Sequence, residues 1–81
     1  MTRYFTQVSN DLLVELLAGS CEPAGLRVVR EVRRDPQWTV VEFEDDGAPP
    51  EMEGQHISPS VSRGDDGRIW VSERYVNSRP A

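Results

Sequence analysis

Two valine-rich runs, residues 26–33 and 38–44, flank Arg34-Asp35-Pro36-Gln37, and apolar and charged positions alternate along both. Period-two alternation around a Pro- and Asp-containing break predicts an antiparallel hairpin. With residues 34–37 as the loop, Arg33 faces Trp38, Val32 faces Thr39, Arg30 faces Val41, Val28 faces Phe43 and Arg27 faces Glu44. One face then gathers Val28, Val32, Val41 and Phe43. The other carries the Arg27–Glu44 pair, Glu31, Glu42 and an Arg33–Trp38 contact of cation–π type, with Val29 and Val40 beside them. This is the pattern of a sheet with one covered and one wet face. Arg30 is the misfit, since it lands on the apolar side. It requires either a bulge that shifts the register or a side chain that snorkels at the sheet end.

Upstream, Val8-Ser9-Asn10-Asp11-Leu12-Leu13 carries a helix start. Ser9 is placed to cap the free amides, Asp11 suits the positive end, and Val8 and Leu13 occupy the positions of a hydrophobic staple. Leu12, Leu13, Leu16 and Leu17 continue at helical spacing with Glu15 on the other side. Gly19 is the expected stop, and Pro23 and Gly25 keep the next residues in a loop. A helix of about two and a half turns is unstable alone and has to dock. Tyr4 and Phe5 mark residues 2–7 as a short strand candidate.

Downstream, Asp45-Asp46-Gly47-Ala48-Pro49-Pro50 predicts a turn and linker. Residues 55–62 form a weak strand, with Ile57 and Val61 on one side and Pro59 confining it to an edge. Arg63-Gly64-Asp65-Asp66-Gly67 is a hairpin turn, and residues 68–76, holding Ile69, Trp70, Val71 and Tyr75, are the last strand. A loop of four or five residues decides whether Trp70, or Ile69 with Val71, points inward. The expectation is an α+β fold: one short N-terminal amphipathic helix packed on an antiparallel β-meander of about four strands, with the 2–7 strand as a candidate addition. Residues 1–76 form a single small domain and residues 77–81 a flexible tail.

Composition adjusts this picture. At 81 residues and 37% hydrophobic content the chain is near the size at which one core barely suffices, so a partner or self-association would help it. No apolar run is long enough to span a membrane, and the N-terminus lacks the apolar core and cleavage site of a secretory signal. With Cys21 as the one cysteine, no intrachain disulfide forms, which points to a cytoplasmic setting. All nine basic residues are Arg, against 14 acids, for a formal charge of −5. The absence of Lys suggests a high-GC bacterial or phage genome. Net acidity argues against general affinity for nucleic acid.

Catalytic and ligand chemistry finds little support. Nucleophilic catalysis needs Cys21 or a serine beside an oriented base, and the single histidine, His56, is far along the chain from Cys21. The acids Glu42, Glu44, Asp45, Asp46, Glu51 and Glu53 do not follow the spacing of a calcium loop, and one Cys with one His makes a poor zinc set. There is no glycine-rich phosphate cradle. No enzyme activity, cofactor or metal is therefore expected.

What remains is interaction. Arg27, Arg30, Arg33 and Arg34 beside Trp38 form a ribbon that could enter a nucleic-acid groove, but Glu31 and Asp35 interrupt it. The acidic connection from Glu42 to Glu53 could orient a basic partner, or imitate a phosphate backbone as an inhibitor. The leading expectation is a non-enzymatic accessory or regulatory domain that binds another protein, or its own copy as a homodimer. Its surface is the outward hairpin face, Arg27, Val29, Arg33, Trp38, Val40 and Glu42, with Asp45 and Asp46 as a polar rim. A nucleic-acid-linked regulator is the alternative.

Overall fold

The computed structural model describes residues 1–18, 21–22 and 25–72. Strands β1 (Thr2–Ser9), β2 (Cys21–Glu22), β3 (Leu26–Arg34), β4 (Trp38–Asp45), β5 (His56–Ile57), β6 (Ser60–Arg63) and β7 (Ile69–Ser72) accompany one helix, α1 (Asn10–Leu17), and a 3-10 turn at Pro50–Met52. The architecture is α+β. Its strands do not run as one meander: they form a mixed sheet of order β3-β4-β1-β5 and a smaller sheet of order β2-β7-β6.

The reason lies in residues 2–9, which form a central strand rather than an accessory one. Thr2, Tyr4, Thr6 and Val8 are buried, while Arg3 and Gln7 are exposed on the other side. β1 pairs antiparallel with β4 from Thr2–Asp45 to Ser9–Trp38, and parallel with β5 through Phe5–His56 and Thr6–Ile57. Pro59 cannot donate to a ladder, and it stands where the expected 55–62 strand divides. β5 joins the large sheet and β6 the small one.

The hairpin register agrees with expectation at Arg27–Glu44 and Val28–Phe43, then departs. Bulges at Val29 and Val32 bring Arg30 opposite Glu42, Glu31 opposite Val41 and Arg33 opposite Val40. The expected pairing of Arg33 with Trp38 is therefore replaced by Arg33 with Val40. The ladder runs one residue further, to Arg34, and the Asp35 N–H donates to the Trp38 carbonyl at 2.8 Å. A bulge admits one extra residue into a strand. Two of them convert the three-residue spacing of Arg27, Arg30 and Arg33 into the two-residue spacing of one face.

Ser9 caps α1 by accepting from the Asp11 N–H at 3.3 Å. Both staple residues, Val8 and Leu13, are buried, and Leu16 joins them. Leu12 is partly buried, but Leu17 is exposed, so the apolar stripe is narrower than its four leucines suggested. The buried cluster combines Tyr4, Val8, Val41 and Phe43 of the large sheet with Leu13 and Leu16, Met52, Ile57, and Ile69 and Val71 of the small one. Tyr4 and Phe43 meet at 5.8 Å between ring centroids. Ile69 and Val71 point inward because five residues, 64–68, separate β6 from β7; Trp70 faces out. The expected stop at Gly19, Pro23, the strand end through Tyr75 and the 77–81 tail lie outside the described residues.

Candidate functional site

The outward face of the large sheet is a grid fixed by the two registers. From edge to edge its rows are Arg27, Glu44, Arg3; then Arg30, Glu42, Phe5, His56; then Arg33, Val40, Gln7; and last Trp38 beside Ser9. Arg3, Gln7, Arg27, Arg30, Arg33, Trp38 and His56 are all exposed.

One half of this face is closed by ion pairs. Glu44 accepts from the Arg27 Nε at 2.7 Å and from the Arg3 Nε at 3.2 Å, and pairs with the terminal guanidinium nitrogens of both. Glu42 accepts from the Arg30 Nε at 2.8 Å. Both glutamates are buried beneath the arginines, which keep one side to solvent. The hydrogen bond from Arg27, helped by Arg3, holds the Glu44 carboxyl below its ordinary value of 4.5 against the opposing effect of desolvation. The expected Arg27–Glu44 pair is formed, and the alternation of β4 places Glu42 on the same face, under Arg30 rather than free in solvent.

The other half is open and largely apolar. Trp38 is 46% exposed and Val32 41% exposed. Around Val40 lies a groove of about 310 Å³ lined by Gln7, Val32, Arg33, Val40, His56, Ile57 and Ser58. His56 stacks on Phe5 at 5.1 Å between ring centroids and an interplanar angle of 28°. Arg33 pairs with Asp35 at 3.2 Å, both side chains largely in solvent. Neither a carboxylate nor Cys21 lines the groove with His56; Cys21 is half-buried, its thiol directed at the Leu26 carbonyl.

The residues expected to form a docking surface thus separate. Arg33, Trp38 and Val40 belong to the open half, Arg27 and Glu42 to the closed half, and Val29 is a bulge residue beside it. Asp45 is corrected outright. It is 2% exposed and faces the core, where it accepts from the Tyr4 hydroxyl at 3.3 Å and from the Gly47 N–H at 2.9 Å. Asp46 remains in solvent, its N–H donating to the Gly25 carbonyl. With Glu42, Glu44 and Asp45 withdrawn, a surface imitating a phosphate backbone has lost three of its acids. Gln7, Val32, His56 and Ile57 were not anticipated. The period-two pattern of residues 2–8 could have found Gln7, whereas Val32 depends on the bulge and His56 on a parallel pairing no local signal announces.

Among the described residues, no three His, Cys, Asp or Glu side chains gather to hold a metal ion, and no helix is long and apolar enough to cross a membrane. No family model, curated protein or solved structure matches the chain.

Proposed function

We propose that this chain is a non-enzymatic interaction domain that binds another protein, or a second copy of itself, through the open half of the large sheet's outer face. The supporting observation is the contrast within that face. Where a charge would be stranded, arginines and glutamates neutralise each other. Where Trp38, Val32 and Val40 lie, apolar surface stays in water around a groove. Contiguous apolar surface with a polar rim is characteristic of binding sites, and aromatic and Arg side chains are enriched at their centres. The all-Arg composition and single cysteine make a cytoplasmic accessory protein of a bacterium or phage the setting that suits this role best.

The test is the double substitution Trp38→Ala with Val40→Ser. Circular dichroism should remain that of the parent, because Trp38 contributes little to the core. A self-associating parent should become monomeric by sedimentation, or a purified partner should be lost. A double variant that unfolds would mean that these residues serve the core, and the reading would fail.

The nucleic-acid alternative has weaker support, because each hairpin arginine already holds an acid: Arg27 with Glu44, Arg30 with Glu42, Arg33 with Asp35 and Arg34 with Glu31. A gel shift with a steep salt slope, abolished by Arg30→Glu plus Arg33→Glu, would revive it.

A further inference from the structure

The groove on the open half is selective in its chemistry. Among its lining residues Val32 and Val40 are apolar, while Arg33, the Gln7 amide and the His56 ring stand beside them. Four arginines and two glutamates occupy the outer face, the reverse of a chain whose formal charge is −5. Arg3, Arg27 and Arg30 are committed to the two glutamates. Arg33 alone of the four stands opposite an apolar residue, Val40. Its partner, Asp35, belongs to the hairpin loop, and an ion pair so open to solvent is weak and easily exchanged.

Resting on the interaction reading above, we propose that this groove accepts an acidic peptide segment in which an apolar side chain stands next to a carboxylate. The apolar side chain fills the space between Val32 and Val40, and the carboxylate replaces Asp35 on the Arg33 guanidinium. The volume, about 310 Å³, is at the low end of the ~300–1,000 Å³ range of ligand sites, which suits a short segment rather than a folded surface. Charge complementarity selects an acidic occupant. A nucleic acid would find Arg33 alone exchangeable on this face, because Arg3, Arg27 and Arg30 are held by the two buried glutamates, and a second copy bringing one of its own exposed acids is distinguished by dilution.

The experiment is a ¹H–¹⁵N titration of the full chain with two capped tetrapeptides, Gly-Leu-Glu-Gly and Gly-Phe-Asp-Gly, and with their Gln and Asn twins. The acidic peptides should shift the amides of Val32, Val40 and Ile57, and should bind about two- to fivefold more tightly than the twins, the usual worth of a solvent-exposed ion pair. Arg33→Ala should erase that preference. Asp35→Asn, which frees Arg33 from its resident partner, should widen it. The proposal is overturned if neither acidic peptide moves these amides at millimolar concentration, or if Arg33→Ala leaves the preference intact. It is equally overturned if the amides respond to simple dilution (a second copy) or to oligo-dT in place of peptide. Should the peptides fail while the Trp38/Val40 variant still loses a partner, the peptide inference falls and the interaction reading stands.

Discussion

Among single residues, Thr6 and Glu44 have opposite consequences for stability. Thr6 is buried in the central strand and its Oγ1 has no hydrogen-bond partner among the described residues. A hydroxyl taken out of water without compensation is destabilising, so Thr6→Val should raise unfolding stability by about 1 kcal/mol in urea titration. Glu44 is held below 4.5 by Arg27 and Arg3. A carboxyl whose folded-state pKa is depressed contributes stability that is complete above its unfolded value and is lost as the pH falls through the folded one. Between about pH 5 and pH 3 the stability of Glu44→Gln should therefore fall less steeply than that of the parent. Equal slopes in urea titrations across that range would show that the pair carries no such linkage. The same residues explain what composition concealed. An acid-rich segment resembles a solvated rim, yet strand alternation sends Glu42 and Glu44 under arginines and Asp45 into the core.

At the scale of elements, the helix start and the hairpin are locked together by Asn10. Its backbone N–H donates to the Gln37 carbonyl at 2.9 Å and its Nδ2 to the Asp35 carbonyl at 2.9 Å, while its Oδ1 accepts from the Thr39 hydroxyl at 2.5 Å. Asn10→Ala should cost about 1–3 kcal/mol, because the buried Thr39 hydroxyl is left without its acceptor. An unchanged midpoint in thermal or urea unfolding would refute that assignment. The helix cap, the staple and the hairpin were legible because each depends on residues close in sequence. Arg30 was legible as an anomaly, but one misplaced charge could not reveal two bulges. The 2–9 strand was only half legible, since Thr2 and Thr6 occupy its buried phase and blur the apolar alternation. The parallel pairing of β5 with β1 joins segments distant in sequence, and nothing near His56 signals it.

Viewed whole, the molecule builds its buried core on one side of the large sheet. α1, the 3-10 turn and the small sheet supply the side chains that cover it. Pro59 stands where the chain leaves the large sheet and enters the small one within a few residues. Trp70 illustrates the cost of a thin fold. Exposed on β7, its indole donates to Asp66 Oδ1 at 3.4 Å and lies so close to Gly64 that a Cβ there would approach it to 2.5 Å. It closes the turn rather than filling the core.

The placement of β1 has a temporal consequence. β1 is made before either of its neighbours in the sheet, which end at Asp45 on one side and Ile57 on the other. A ribosome-bound chain shorter than this has a strand with no hydrogen-bonding mate. Such distant pairings delay folding, so nascent chains stalled before residue 45 should be fully protease-sensitive, and resistance should arise abruptly once both flanking strands have emerged.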